Sequence, residues 1–403
     1  MKKSWIMLSC VFLLISCGKD SGEEEKKETI IDQSVEQTQN EFAWELFEEV
    51  SEEEDGNIFV SPYSVFIALA MTVNGAEAET KEEMMQALGM DNFSLQQLNE
   101  DNERLMESLE KATEKITLQS ANAIWLNDLY TLEKNFQHHV KTYYSANVEE
   151  VDITDAATAD LINTWVKEQT NEKIEEIVEA PLDEQLVLML TNAVYFDGDW
   201  QYEFAEEWTV DAPFYGKEET EVAMMSLEED LSYKEEESFE MVQLPYGEGE
   251  MSMYVLLPKE GTTLQEVQDG LSYESFSSVR KEMKPKKGTV ELPKFSLTEE
   301  YELNDALIRL GMEKAFDHEH ANFSNMTTSD DPLWIDFVQH KTFLEVNEQG
   351  TEAAAVTNVG IKTMSAEDSD TFYMQMNRPF QFFIMEEETE AILFIGEIQS
   401  LAK

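Results

Sequence analysis

Cysteine is almost absent from this 403-residue chain, which carries two, Cys10 and Cys17. Both lie within a segment that starts Met-Lys-Lys and continues through an apolar run over residues 5–15, which is typical of a secretory signal peptide. Once such a signal is removed, no pair of thiols remains to form a disulfide. We therefore expect the exported domain to be held together by its core alone.

Basic residues are scarce as well. The chain has 28 Lys and Arg against 85 Asp and Glu, a formal net charge of −57 at pH 7. Such a chain repels nucleic acid and anionic membrane surfaces, so neither is expected as a partner. The acidic residues occur in runs such as 48–55 and 235–237 without the spacing of a calcium loop, which predicts a solvated surface. Cation binding or adaptation to salt is the alternative.

Histidine is rare too, with five in the chain. His138 and His139 are adjacent, and His318 and His320 lie in an acidic segment. Neither pair has the spacing and companions of a zinc site. No metal or other cofactor is therefore expected.

Apolar runs long enough to span a membrane as a helix are missing after residue 17. The ending Leu14-Ile15-Ser16-Cys17 resembles the lipobox of bacterial lipoproteins, in which the cysteine becomes the lipidated first residue. We expect residues 1–17 to be a lipoprotein signal, with an ordinary signal peptide as the alternative. This resemblance implies a protein of the bacterial cell envelope, lipid-anchored at the outer membrane, and leaves periplasmic and surface exposure both open.

Linkers of Pro, Gly and Ser are also absent from residue 32 onward. Residues 18–31 are polar and acidic at their start and predict a flexible tether. The remainder, 32–403, has globular patterning throughout, with helices concentrated toward its amino half and strands toward its carboxyl half. We therefore expect a single α+β domain. The predicted helices lie near 42–50, 64–75, 80–88 and 95–115, and the predicted strands at 116–126, 186–196, 251–257, 288–292, 343–346, 380–385 and 391–398.

A series of short motifs runs through this domain in a fixed order, and together they resemble the serpin family over essentially all of residues 32–403. One position departs from the family pattern: Gln381 stands where an apolar residue is usual. The resemblance implies three β-sheets, about nine helices and an exposed reactive-centre loop from Glu348 to about Phe372. Its main motifs are Asn57-Ile-Phe-Val-Ser-Pro-Tyr-Ser64, Ala121-Asn-Ala-Ile-Trp-Leu126, Thr191-Asn-Ala-Val-Tyr-Phe196, Leu292-Pro-Lys-Phe295 and Met376-Asn-Arg-Pro-Phe-Gln-Phe-Phe-Ile384.

The segment 348–365 has the alternation of a strand but the small residues of a loop. Side chains on a strand point alternately to opposite faces, so one set would be buried and the other would face water. Neither a proline nor a charge falls on the side that would be buried, and either would block entry into a sheet. The family places the hinge of the loop at Glu348, Gly350, Thr351, Glu352, Ala353, Ala354 and Ala355, and the alternating set to be buried is Thr351, Ala353, Ala355, Thr357, Val359, Ile361 and Thr363.

The resemblance implies a suicide inhibitor of serine proteases and not an enzyme. Counting at the family's spacing places the cut between Met364 and Ser365, with Lys362 and Thr363 as alternatives. A methionine there suits elastase-like, chymotrypsin-like or subtilisin-like enzymes, and papain-like cysteine proteases are a further possibility. We expect a monomer that uses no heparin-type polyanion, because segment 78–115 is acidic. The alternative is a non-inhibitory serpin that acts as a binding or carrier module.

Two groups of residues take structural roles from the same resemblance. Lys294 and Glu348 are expected to form a salt bridge near Trp200, in the region called the breach. Ser61, Ser64, Asn192 and His340 are expected to form a hydrogen-bonded cluster called the shutter. No carboxylate motif completes a catalytic triad with them, which argues against an enzyme.

Overall fold

The computed structural model describes residues 35–110, 115–351 and 370–401. The expected signal and tether, the lipidation residue Cys17, the hinge residues 352–355 and the region of the reactive bond around Met364 lie outside these residues.

Helices occur in the described chain as far as residue 316 and are not confined to its amino half. Helix α2 begins at Pro62, two residues before the expected start, because Ser61 caps it and proline fits the first helical turn. The α-helices of the described residues are α1 Val35–Glu53, α2 Pro62–Val73, α3 Ala78–Ala87, α4 Leu95–Glu110, α5 Lys134–Tyr144, α6 Ala157–Gln169, α7 Leu264–Gln268, α8 Tyr273–Glu282, α9 Asn304–Arg309 and α10 Glu313–Phe316.

The strands form one nine-stranded and one six-stranded sheet, and the expected α+β fold class is confirmed. The strands are β1 Ile58–Val60, β2 Ile116–Asn127, β3 Asn147–Val151, β4 Leu188–Asp199, β5 Val210–Tyr215, β6 Glu219–Glu235, β7 Phe239–Tyr246, β8 Met251–Pro258, β9 Lys284–Pro293, β10 Phe295–Glu302, β11 Phe337–Val346, β12 Gly350–Thr351, β13 Phe372–Gln375, β14 Phe380–Glu386 and β15 Ile392–Ile398.

Strand β6 explains why hydrogen bonding yields two sheets where three were expected. It is 17 residues long, and it pairs in turn with β5, β9 and β7. The expected second and third sheets are therefore continuous through β6, in the order β1-β15-β14-β8-β7-β6-β9-β13 with β5 also on β6.

The six-stranded sheet positions the candidate site. Its order is β10-β11-β4-β2-β3, and β12 also pairs with β4. Side chains alternate between its two faces, so that Leu190 and Val194 of β4 join the main core while Met189 and Ala193 pack in a second core that includes Ile162. The central strand β4 is consequently buried on both faces.

Some sequence-based boundaries were wrong. Strand β11 begins at Phe337 and not at residue 343. Its first half was not predicted, because it carries polar residues and its side chains alternate between buried and half-buried positions. Four short helices, α7 to α10, lie after residue 263, so the expected separation of helices and strands along the chain is only partial. Gln381 is buried in β14, where its register partner is Glu397.

Candidate functional site

The end of β4 nearest Trp200 holds the residues that precede the expected loop. The Trp200 indole stacks on Tyr246, with ring centroids 4.2 Å apart and planes 12° from parallel. Its Nε1 donates to the carbonyl oxygen of Asn347 at 3.0 Å, and its backbone N–H donates to Gln349 O at 2.8 Å. The indole is therefore clamped between a core aromatic ring and the backbone of residues 347–349.

Glu348 is held by two side chains from distant parts of the chain. Lys294 Nζ lies 2.7 Å from Glu348 Oε2, and Thr209 Oγ1 donates to Glu348 Oε1 at 2.8 Å. Burial raises the pKa of Glu348, but the hydrogen bonds from Lys294 and Thr209 outweigh it, so the pKa lies below its usual value. The Glu348 carboxylate is therefore ionised and fixes the chain just before the hinge.

Strand β12 lies between β4 and β11. The ladder between β11 and β4 runs from Phe337 opposite Met189 to Phe343 opposite Tyr195. Beyond it, Gly350 pairs with Asp199 and Thr351 with Gly198. The other edge of β4 at Gly198 is occupied by β2, so β12 must lie on the edge that faces β11.

Gly350 and Thr351 fit this position closely. A Cβ on Gly350 would lie 2.0 Å from Gly198 O, so this crossing of the two chains requires glycine. Thr351 is fully buried, and its Oγ1 donates to Gly198 O at 3.2 Å. The first residue of the alternating set is thus already inside the sheet, and residues 352–369 lie outside the described part of the chain.

The shutter residues meet where α2 begins beneath β4 and β11. His340 of β11 and Asn192 of β4 are register partners, and His340 Nδ1 is hydrogen-bonded to Asn192 Oδ1. Ser61 N–H donates to His340 Nε2 at 3.0 Å, and Asn192 Nδ2 donates to Ser64 Oγ. These four residues are all fully buried and joined through hydrogen bonds.

The hydrogen bonds of His340 define the protonation state of its imidazole ring. Because Ser61 N–H donates to Nε2, that nitrogen carries no proton, and the imidazole is neutral with its proton on Nδ1. Burial lowers the pKa of His340 to about 3, a shift that its hydrogen bond with Asn192 only partly opposes. The cluster links α2 to the two strands that flank β12.

Two residues of this region carried no recognisable signal in the sequence. Thr209 follows a 3₁₀ turn, Glu206–Trp208, and Ser120 of β2 extends the shutter network through Ser64. Their roles depend on neighbours distant in the chain, so no local motif marks them. Among the described residues, no group of three or more His, Cys, Asp or Glu is arranged to hold a metal ion, and no helix is long and apolar enough to span a membrane.

Comparison with known proteins agrees with this architecture. The family model "Serpin (serine protease inhibitor)" matches residues 37–401. A serpin-like protein of Methanosarcina acetivorans is 34% identical over 367 residues, which cover 90% of this chain and 85% of that protein. The leukocyte elastase inhibitor of Xenopus tropicalis is 36% identical over 372 residues, which cover 89% of this chain and 97% of that protein.

A solved structure has the same fold. The crystal structure of the thermophilic serpin tengpin in its native state superposes with a TM-score of 0.85 at 34% identity, over 91% of this chain and 94% of that one. The chain belongs to the serpin family of serine protease inhibitors.

Proposed function

We propose that this protein inhibits serine proteases as a suicide substrate. The serine of the attacking protease adds to the carbonyl carbon of Met364, and the Met364–Ser365 peptide bond breaks. The amine of Ser365 leaves with a proton from the histidine of the protease, and an ester joins Met364 to the enzyme. The segment that follows Thr351 then enters the sheet between β4 and β11 and carries the ester away before water hydrolyses it.

The position of β12 carries this proposal. Gly350 and Thr351 already lie on the edge of β4 that faces β11, so insertion after cleavage continues a strand that has begun. A full inserted strand adds on the order of a dozen backbone hydrogen bonds, each worth ~1 kcal/mol net, together with apolar burial. This energy is comparable with the stability of a folded domain, about 5–15 kcal/mol, so its release would distort a trapped protease.

Met364 defines the class of target. A long apolar side chain at the cleavage position enters the deep apolar pocket of elastase-like, chymotrypsin-like or subtilisin-like enzymes. Cleavage after Lys362 by a trypsin-like enzyme, or after Thr363, is the alternative, and papain-like cysteine proteases are a second class of target.

We further propose that the protein is a monomer that acts from the bacterial cell envelope. Lipidation of Cys17 would anchor it at the outer membrane, and the polar segment 18–31 would serve as the tether. The membrane contact is then made by the lipid alone, since the acidic domain repels anionic surfaces.

Incubation with proteases of each class tests the proposal. Elastase-like, chymotrypsin-like or subtilisin-like enzymes should yield an SDS-stable complex with the mass of the protease plus the chain up to Met364. Mass spectrometry should identify a released fragment that begins at Ser365. Cleavage by every protease without any covalent band would exclude the inhibitor function and favour a binding or carrier role. A fragment beginning at Thr363 would move the reactive bond to Lys362 for that enzyme.

A further inference from the structure

The hydroxyl of Tyr246 is a buried polar group without a partner. Tyr246 ends strand β7 of the nine-stranded sheet and is fully buried. Its hydroxyl makes no hydrogen bond with any residue that the structure describes. Buried hydroxyl groups are usually hydrogen-bonded, because their removal from water without a new bond is unfavourable. The unpaired Tyr246 hydroxyl therefore requires a physical explanation.

The ring of Tyr246 is held in place by its neighbours. It stacks on the Trp200 indole with centroids 4.2 Å apart, and it meets the edge of Phe196 at a centroid distance of 5.1 Å. A Cβ on Gly198 would lie 3.1 Å from Tyr246 Cδ1, so the ring packs directly against the backbone of β4. Trp200 and Tyr246 are also joined by a backbone β-bridge. A partner must consequently move toward the hydroxyl.

Thr351 is the side chain that faces this hydroxyl. It is the register partner of Gly198, and register partners point to the same side of a sheet. Phe196, two residues before Gly198, lies in the main core on that side. Burial raises the pKa of Tyr246, and the nearby Thr351 side chain opposes this shift. The two side chains are therefore neighbours, although no hydrogen bond joins them in the intact chain.

The hydroxyl of Thr351 is able to accept a hydrogen bond from Tyr246. Its single proton is donated to Gly198 O at 3.2 Å, and a threonine oxygen has lone pairs that accept as well. A tyrosine hydroxyl donates one proton. A series of bonds from Tyr246 to Thr351 Oγ1 and on to Gly198 O would thus satisfy both hydroxyl groups once the two oxygens approach each other.

We propose that Tyr246 is a positioning residue for the start of loop insertion, and that its hydroxyl donates to Thr351 Oγ1 only after the loop has entered the sheet. This inference rests on the proposed inhibitory function. In the intact chain β12 has two residues, and within the described ranges it pairs with β4 alone. An inserted strand would pair with β11 as well, which would bring Thr351 into full register beside Tyr246. The unpaired hydroxyl thus disfavours the intact state relative to the inserted one.

A double-mutant cycle on the full-length chain measures this contact. Tyr246→Phe removes the donor, Thr351→Val removes the acceptor at nearly constant shape, and a third variant combines the two changes. Thermal unfolding is followed for each variant before and after cleavage of the loop. The control is Tyr254→Phe, because the buried Tyr254 already donates to Glu387 Oε1 at 2.8 Å. A second measurement is the number of chains cleaved for each SDS-stable protease complex.

The substitutions should act differently in the two forms. In the intact chain Tyr246→Phe should leave the unfolding temperature unchanged or raise it by about 1–2 °C, because it removes an unpaired buried hydroxyl. In the cleaved chain it should lower that temperature by about 1–2 °C, and its effect should be non-additive with that of Thr351→Val. The number of chains cleaved per complex should rise about two- to threefold. Tyr254→Phe should lower the unfolding temperature of both forms alike and leave the number of chains cleaved per complex unchanged.

Three outcomes would overturn the inference in distinguishable ways. If cleavage does not raise the unfolding temperature of the wild type, strand insertion and the inhibitory function fail, and the inference fails with them. If cleavage raises it but the two substitutions are additive in the cleaved chain, insertion stands and Tyr246 has no positioning role. If Tyr246→Phe lowers the unfolding temperature of the intact chain as much as that of the cleaved chain, the hydroxyl is already hydrogen-bonded before cleavage.

Discussion

Glu348 shows how side chains and backbone from distant parts of the chain fix the residues just before β12. Its carboxylate is buried and accepts hydrogen bonds from Lys294, located between β9 and β10, and from Thr209, located before β5. Its backbone oxygen also accepts from Phe204 N–H at 2.8 Å. Three separate parts of the chain therefore fix the residue from which β12 departs.

Replacing Glu348 by glutamine should loosen this arrangement. The amide keeps the shape but loses the charge-assisted hydrogen bond with Lys294, which should cost about 1–2 kcal/mol. We expect a lower urea midpoint and, on warming, more latent or polymeric protein by size-exclusion chromatography. The control is Glu228→Gln, which removes an exposed pair with Lys287 at 2.9 Å and should change stability by about 0.5 kcal/mol or less. A Glu348→Gln protein that matches the wild type in both measurements would rule out the gating role.

His340 makes the shutter sensitive to acid. In the folded protein the pKa of His340 is lowered to about 3 by burial, while an unfolded histidine titrates near its ordinary value of 6.5. The unfolded chain therefore binds more protons between pH 6.5 and 3. The stability that neutral His340 provides is complete above pH 6.5 and is lost as the pH falls through this window. A protonated Nε2 would also point its N–H at the N–H of Ser61.

Lowering the pH from 6.5 to 5 should accordingly destabilise the wild type through this residue by about 2 kcal/mol. His340→Gln should be less stable at pH 7 but should lose less stability over the same interval. Urea unfolding at several pH values measures both slopes. The comparison is needed because Glu299 acts in the opposite direction: burial and the nearby Glu54 raise its pKa to about 7, so its protonation favours the folded state as the pH falls. If the free energy of unfolding changes equally with pH in the wild type and in His340→Gln, the acid sensitivity does not arise from His340.

Among single residues, the sequence motifs located those with a recognisable pattern around them. Lys294 and Trp200 occur in blocks that the family resemblance covers, and the structure brings Lys294 to Glu348 and Trp200 to Asn347. Thr209 has no such block, because its contact with Glu348 exists only after distant strands pack together. Composition and spacing carry no information about a contact of that kind.

At the level of secondary structure, β12 marks the place where the proposed strand insertion would begin. It consists of two residues, and its place beside β4 depends on the absence of a side chain at Gly350. Thr351 then follows in register with Gly198 and is the first residue of the alternating set to be buried.

Gly350→Ala should prevent β12 from staying in the sheet. The added Cβ would collide with the backbone at Gly198, so the strand should withdraw, and insertion after cleavage should become slower. We expect a larger fraction of the protein to be cleaved without trapping the protease, measured as the ratio of cleaved chain to SDS-stable complex. Gly56→Ala is the control, because a Cβ there meets no atom within 4 Å. The same ratio in both variants would show that Gly350 is not required.

The elements with strong apolar patterns were predicted well, and those with mixed patterns were not. Strands β8, β14 and β15 are buried along their whole length, and their sequences are mostly apolar. Strands β6 and β11 alternate with charged or polar residues, and β12 is too short for any period to be visible. The short helices α9 and α10 have too few turns to show an apolar stripe.

For the whole molecule, the native state is expected not to be the most stable arrangement of the chain. The ladder between β4 and β11 ends at Phe343, and β12 fills only the first positions beyond it. A complete strand at this place would add hydrogen bonds and apolar contacts to the core of the six-stranded sheet. Cleavage of the loop would remove the connection that prevents this rearrangement.

Thermal unfolding before and after cleavage at the loop tests this claim most directly. Wild-type protein cut in the loop should remain folded to a temperature about 10 °C or more above the unfolding of the intact protein. Cleaved Thr351→Arg should show no such gain, because its charged side chain would have to be buried where Thr351 lies fully enclosed. A cleaved wild-type protein that unfolds at or below the temperature of the intact chain would contradict the proposed strand insertion.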